Sequence, residues 1–206
     1  ISNLITGQWN ENKEFYKKIV DSLPLNSKEI NSKNNVIKFI GDELSIKNLK
    51  NIEQIEYLSL EELLSSKNFK KILIESNWWG KNQEYKYIFP DEFSTRPEST
   101  KVFKLLEDLK KQNVELIYWD KEGVQFNDTF KRLIKISDYA ITNDERNLLF
   151  LKEKLGKKNV SLVGFSYDPK VFNPLNRKND DFQIGFAGSF YNERFPERKK
   201  QLLTLL

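Results

Sequence analysis

The chain of 206 residues contains no cysteine, no histidine and no methionine. Without cysteine it has no disulfide, no thiolate metal site and no thiol nucleophile; without histidine it lacks the usual zinc ligand and the usual base near neutral pH. Any proton transfer falls to Asp, Glu, Lys, Tyr or water. No apolar run approaches the roughly 20 residues of a membrane span, and no charged-then-apolar leader precedes a cleavage site. A cytoplasmic protein without a transmembrane segment is expected. P-loop, GxGxxG and GxSxG patterns are missing, there is no metal-binding cluster, and the adjacent Asp180-Asp181 is not an Asp-x-Asp motif, so neither a metal nor a cofactor is expected. Lys and Arg total 34 against 30 acidic residues, and the excess of +4 is dispersed. A nucleic-acid partner, which calls for a clustered basic face, is not expected. Starting at Ile1 without any Met, the chain is expected to be an excised piece of a longer protein.

At 38% hydrophobic, the chain can bury a sizeable core. Residues 1–35 are rich in Asn, Lys and Ser, and their periodic part places Phe15, Ile19 and Leu23 on one face of an accessory helix that ends at Pro24. A regular rhythm begins at Val36. Strands are predicted over 36–40, 55–58, 71–75, 114–119, 138–142 and 159–163. Helices are predicted from Gly41-Asp42-Glu43 to about 51, from a Ser59/Glu62 capping box to about 67, over 99–112, over 126–136, and over 144–155 with Asn143 as cap. Residues 78–97 read as a long aromatic loop with a function of its own. The polar stretch 165–181, with Asp168-Pro169 and Asn173-Pro174, is the predicted connection between a domain at 36–164 and the start of another at 182–206. Strand and helix alternate throughout, which predicts an α/β, Rossmann-like doubly wound, mostly parallel sheet.

In such sheets ligands bind beyond the C-terminal ends of the strands. The exits fall at Asp42 and Glu43, at 75–81, at 120–122, at 143–145 and at 188–194. The Asp120-Lys121-Glu122 turn reads two ways, as a solvated turn with an internal ion pair, or as a polar edge that binds hydroxyls with one carboxylate as general base. Trp78, Trp79 and Gly80 can offer an indole face to a sugar ring, with one Trp packing while the other is presented. Asp144 and Glu145 open a helix, where the helix dipole favours carboxylates. Near the C-terminus a strand over 182–187 meets Gly188-Ser189, Arg194 and a helix beginning at Pro196 that carries Arg198. A βα turn of this kind suits an anionic phosphate.

Four segments carry a resemblance: residues 75–82 (ESNWWGKN), 118–126 (YWDKEGVQF), 142–145 (TNDE) and 185–199 (GFAGSFYNERFPERK). In this order they resemble the CgeB-like (spore-maturation protein) glycosyltransferases, and the likeness spans 36–206. It implies a GT-B architecture of two Rossmann-like domains, of which this chain holds the N-terminal, acceptor-side domain and the first βα unit of the donor domain. The implied reaction moves a sugar from a nucleotide-sugar to a hydroxyl of a glycan, cell-surface polymer or glycoprotein, with retention and without a metal. On that resemblance Asp120 and Glu122 supply the catalytic carboxylates. Asp42, Glu43, Glu75, Trp78, Gly80, Lys121, Asp144 and Glu145 meet the acceptor. Gly188, Ser189, Arg194 and Arg198 hold the diphosphate, where cations stabilise the charge that grows as it leaves. Two positions depart from the family pattern: Gly123-Val124 stands in place of Asp-Pro, and Trp79 stands where relatives often carry a basic residue. The fragment alone is expected to be inactive. The alternative is a non-catalytic module that holds a glycan or a partner protein through the 78–97 loop.

Overall fold

A computed structural model describes residues 36–65, 68–153, 159–164, 168 and 196–205. The chain divides into two compact units, Ile1–Phe172 and Asn173–Leu206. In the first, six strands form one sheet: β1 (Ile37–Ile40), β2 (Ile55–Tyr57), β3 (Lys71–Glu75), β4 (Glu115–Asp120), β5 (Tyr139–Thr142) and β6 (Val160–Leu162). Their order is β2-β1-β3-β4-β5-β6 and every neighbouring pair is parallel. The doubly wound α/β fold read from the sequence is the fold observed. Five helices connect the strands: α1 (Glu43–Leu49), α2 (Leu60–Ser65), α3 (Pro97–Lys111), α4 (Lys131–Ile136) and α5 (Glu145–Glu153). The second unit contributes α6 (Pro196–Leu205), which opens at the proline that signalled it.

Strand alternation builds two cores. Ile72, Ile74, Leu116, Tyr118 and Ala140 face one way, onto Leu63 of α2, Val102 and Leu106 of α3, and Leu133 of α4. Phe39, Leu73, Ile117 and Ile141 face the other way and pack with Leu49 of α1. Parity along each strand thus decides which layer a side chain joins, and it continues into the exit turns.

Four local readings are corrected. Pro97 begins α3 two residues before the predicted start, because a proline needs no partner for its missing N–H in the first turn. Ser59 accepts from the Glu62 amide at 3.1 Å, but the Glu62 carboxylate binds Lys38 at 2.8 Å instead of closing the capping box. The helix predicted over 126–136 is a 3-10 turn (Val124–Phe126) followed by the shorter α4. Asp144, not Asn143, caps α5, its carboxylate accepting from the Arg146 amide at 2.9 Å. The accessory helix over 11–23 lies outside the described residues.

Candidate functional site

The chain passes from β1 to β2 on one side of the sheet and then crosses back to β3 on the other, so its winding reverses between β1 and β3. At such a reversal the connections leave in opposite directions and open a crevice over the strand ends. An open cleft of about 600 Å³ lies there, lined by Asp42, Glu43 and Leu44 after β1 and by Gly80, Asn82 and Gln83 after β3. Its β3 side is an unusual backbone: Gly80 has φ 67°, and Asn82 and Gln83 follow at φ 52° and 62°. Gly80 has no room for more, since a Cβ there would lie 2.8 Å from Cβ of Tyr85.

Beside the cleft, three strand exits converge on one buried carboxylate. Glu75, at the end of β3, is 1% exposed. Its Oε1 accepts from Ser45 Oγ at 3.0 Å and lies 2.6 Å from Lys121 Nζ, while Oε2 accepts from the Asp42 amide at 3.1 Å. Lys121 Nζ also donates to Ser45 Oγ at 2.6 Å and stands 3.9 Å from Asp42 Oδ2. The lysine is aimed from both ends: its amide donates to Ser76 Oγ at 2.9 Å, and its ammonium lies 5.6 Å from the centre of the Trp119 ring. Asp42 caps α1 through Oδ1, which accepts from the Ser45 amide at 2.8 Å. Gly41 makes the convergence possible, because a Cβ at that position would sit 2.3 Å from Glu75 Oε2 and 2.2 Å from Phe39 Cζ.

Burial pushes the Glu75 carboxyl up to about 7, with Asp42 adding to the rise while Lys121 and Ser45 oppose it. A carboxyl held there changes charge near neutral pH, the range that histidine would serve in another protein. The cluster therefore holds a proton donor–acceptor group, a cation and a second carboxylate together, with Asp42 reaching the crevice.

Asp120 stands elsewhere. It follows Tyr118 in parity and enters the opposite layer, where it is 0% exposed. Oδ1 accepts from the amides of Glu122 and Gly123 at 3.1 and 2.9 Å, and Oδ2 accepts from Thr142 Oγ1 at 2.7 Å and from the Asn147 side chain. Four donors from three chain segments make this carboxylate the tie between the β4 and β5 exits, rather than a base open to a ligand.

Of the residues singled out from the sequence, Asp42, Glu75 and Lys121 are brought together, and Asp42, Glu43 and Gly80 line the cleft. Glu122 contributes its amide to Asp120. Trp78 is half-buried and packs edge-on against Phe126 and Phe130 at the margin of the core, and Trp79 is the indole left 43% exposed. Asp144 is gripped by Arg146, whose guanidinium holds its carboxyl below the usual range, while Glu145 is exposed beside it. Gly188, Ser189 and Arg194 lie outside the described residues, as does the side chain of Arg198. Sequence reasoning missed Ser45 and Asn147, and met Thr142 only as the first residue of the 142–145 segment. For Ser45 a signal existed, since Asp42-x-x-Ser45 is capping geometry; for Asn147 none did. On the same rim, Asn77 Oδ1 and Asn143 Oδ1 are buried acceptors with no hydrogen-bond donor among the described residues.

No group of three or more metal-binding side chains occurs among the described residues, and no helix among them is long and apolar enough to cross a membrane. Set against known proteins, the chain matches no family model, no curated protein and no solved structure.

Proposed function

We propose that this chain is the acceptor-side domain of a CgeB-like, nucleotide-sugar-dependent glycosyltransferase of GT-B type, and that its acceptor hydroxyls bind in the cleft between the β1 and β3 exits. The observation that carries this reading is the Asp42–Glu75–Lys121 cluster beside the cleft at the switch point, with Asp42 in the cleft lining. The Asp42 side chain is 45% exposed and its Oδ2 has Lys121 only at 3.9 Å, so this oxygen is free to accept from a ligand hydroxyl. Lys121, 17% exposed, donates to a neighbouring one, while Glu75 holds it in place. A carboxylate and an ammonium a few ångströms apart match the paired acceptor and donor character of adjacent hydroxyls.

In the reaction, the bond from the sugar's anomeric carbon to the diphosphate breaks and a bond to the acceptor oxygen forms. The hydroxyl proton passes to Asp42, and the diphosphate leaves with the electron pair, its charge met by Arg194 and Arg198. Asp42 takes the role that the resemblance gave to Asp120 and Glu122; the oxygens of Asp120 are occupied inside the protein.

A second reading, a non-catalytic glycan-binding module, is favoured by the exposed Trp79 and by the engagement of both Glu75 and Asp120 in internal bonds. The test follows nucleoside-diphosphate release by the protein that carries this chain, supplied with uridine-, guanosine-, cytidine- and thymidine-diphosphate sugars. Donor-selective release that falls in Asp42→Asn and in Arg194→Ala is expected for the transferase. Glycan binding without release from any donor would leave the module reading standing.

A further inference from the structure

The segment between β3 and α3 carries a second feature, outside the cleft. Trp79, Tyr87 and Phe93 form a continuous ladder of rings, with centroids 4.9 Å apart at the first step and 4.2 Å at the second, where the planes differ by 22°. A cation stands at each step. Lys86 Nζ is 4.9 Å from the Trp79 ring centre and 5.7 Å from that of Tyr87, and the Arg96 guanidinium is 5.6 and 5.7 Å from Tyr87 and Phe93. Both cations are exposed, and among the described residues neither has a carboxylate within ion-pair distance.

The backbone is strained where it presents these rings. Tyr87 has φ 57°, a left-handed conformation that a bulky residue rarely adopts. Such a conformation persists only where its surroundings over-determine it, and here they do. The Tyr87 amide donates to the Trp78 carbonyl at 2.8 Å, the Tyr85 hydroxyl to the Leu58 carbonyl at 2.9 Å, and the Leu60 amide to Glu84 Oε2 at 2.9 Å. The loop is therefore pinned to β2 and α2, with Trp79 exposed and Tyr87 and Phe93 half-buried behind it.

We propose that the ladder of Trp79, Tyr87 and Phe93, with Lys86 and Arg96, is a docking strip for an acidic glycan, a polysaccharide bearing one carboxylate on some or all of its sugars. Sugar rings offer apolar C–H faces to the exposed Trp79 indole and the open edges of the two rings behind it, and the two cations without a carboxylate partner, one per ring step, take carboxylates spaced along the polymer. Lys86 meanwhile has only Gln83 Oε1 among the described residues, at 3.3 Å. Nucleic acid fits less well. Its bases also stack on aromatic rings, but it brings a phosphate at every residue and no apolar sugar face, and the gels below separate the two. The inference rests on the glycan reading above for the class of ligand, but its site and its charge preference are separate from the cleft.

Affinity electrophoresis of the chain through gels cast with polygalacturonate, with neutral dextran or with single-stranded DNA tests this directly. Retardation by polygalacturonate, little by dextran, and weaker retardation by DNA are expected. Trp79→Ala should weaken polygalacturonate binding about fivefold, and Lys86→Gln with Arg96→Gln should weaken it about three- to tenfold at low salt. Lys135→Gln, which removes an exposed cation from α4, should leave it unchanged, and far-UV circular dichroism checks that each variant is folded. Folded ladder variants that bind as well as the parent would overturn the proposal, as would stronger retardation by DNA. Loss of retardation in Asp42→Asn alone would also overturn it, while placing the glycan in the cleft and sparing the functional reading.

Discussion

Replacing Glu75 with Gln should change how stability depends on pH, and the direction is fixed by which form the folded protein prefers. The carboxyl rises from an ordinary 4.5 to about 7 on folding, chiefly because it is buried. The folded state then holds the proton more tightly than the unfolded chain does. The stabilisation from this group is complete below 4.5 and is lost as pH rises through about 7. At about 1.4 kcal/mol for each tenfold change in proton affinity, the loss comes to about 3 kcal/mol. Gln resembles the protonated carboxyl and does not titrate. Urea unfolding followed by Trp fluorescence, for parent and variant from about pH 4.5 to about pH 8, isolates the group, because every other carboxylate is common to both.

The variant should match the parent within about 1 kcal/mol at the acid end and gain on it by about 3 kcal/mol at the alkaline end. Lys121 enters this comparison on the parent's side, since its ammonium at 2.6 Å already offsets part of the cost of ionising Glu75. A constant difference across the range would refute the reasoning, and a variant that loses ground as pH rises would reverse it. In that last case the ion pair would outweigh the burial, and the cluster would be a permanent salt bridge.

Further substitutions address the supports of the site. Asp120→Asn should cost about 3 kcal/mol in urea unfolding, because an amide turns a donor toward the donors that meet at Oδ1 and Oδ2. Gly41→Ala should cost about 1–3 kcal/mol, since its Cβ collides with buried Phe39 and with the Glu75 carboxylate; an unchanged unfolding midpoint would show that the strand exit has slack. Glu84→Ala removes the acceptor of the Leu60 amide and of the Tyr57 hydroxyl, and amide exchange at 80–87 should accelerate while that of β3 and β4 stays slow.

The fold was readable because each strand is a short apolar run closed by a turn signal, and β3 was placed residue for residue. The rim was readable for the same reason, since a parallel sheet puts every strand exit on one edge. The partition of that rim was harder to read. Asp120 and Lys121 are neighbours in sequence and were read as one turn, yet they enter opposite layers: Glu75 pairs in register with Trp119, so Lys121 shares its face and Asp120 does not. The parity was present in the alternation of 115–120, but its consequence depends on which strand lies beside which. Strand order is set by crossovers, and a single sequence does not display them. The 126–136 helix failed for a related reason. Asp120 draws the amides of Glu122 and Gly123 inward and Gly123 turns at φ 82°, so the chain enters a 3-10 turn before α4 can begin.

The long segment after β3 links the two surfaces for which ligands are proposed. Gly80, Asn82 and Gln83 form one wall of the cleft, and within the next four residues Lys86 and Tyr87 belong to the aromatic ladder. Between them, Glu84 and Tyr85 fasten the segment to β2 and α2. Three left-handed residues, Asn82, Gln83 and Tyr87, bracket that fastening, so the chain reverses sharply on either side of it. Sharp reversals around a fixed point let one short stretch serve two faces without long, mobile connections. The same arrangement explains how a stretch without helical or strand periodicity keeps a defined path: its side chains anchor it, where a regular element would be held by its own backbone.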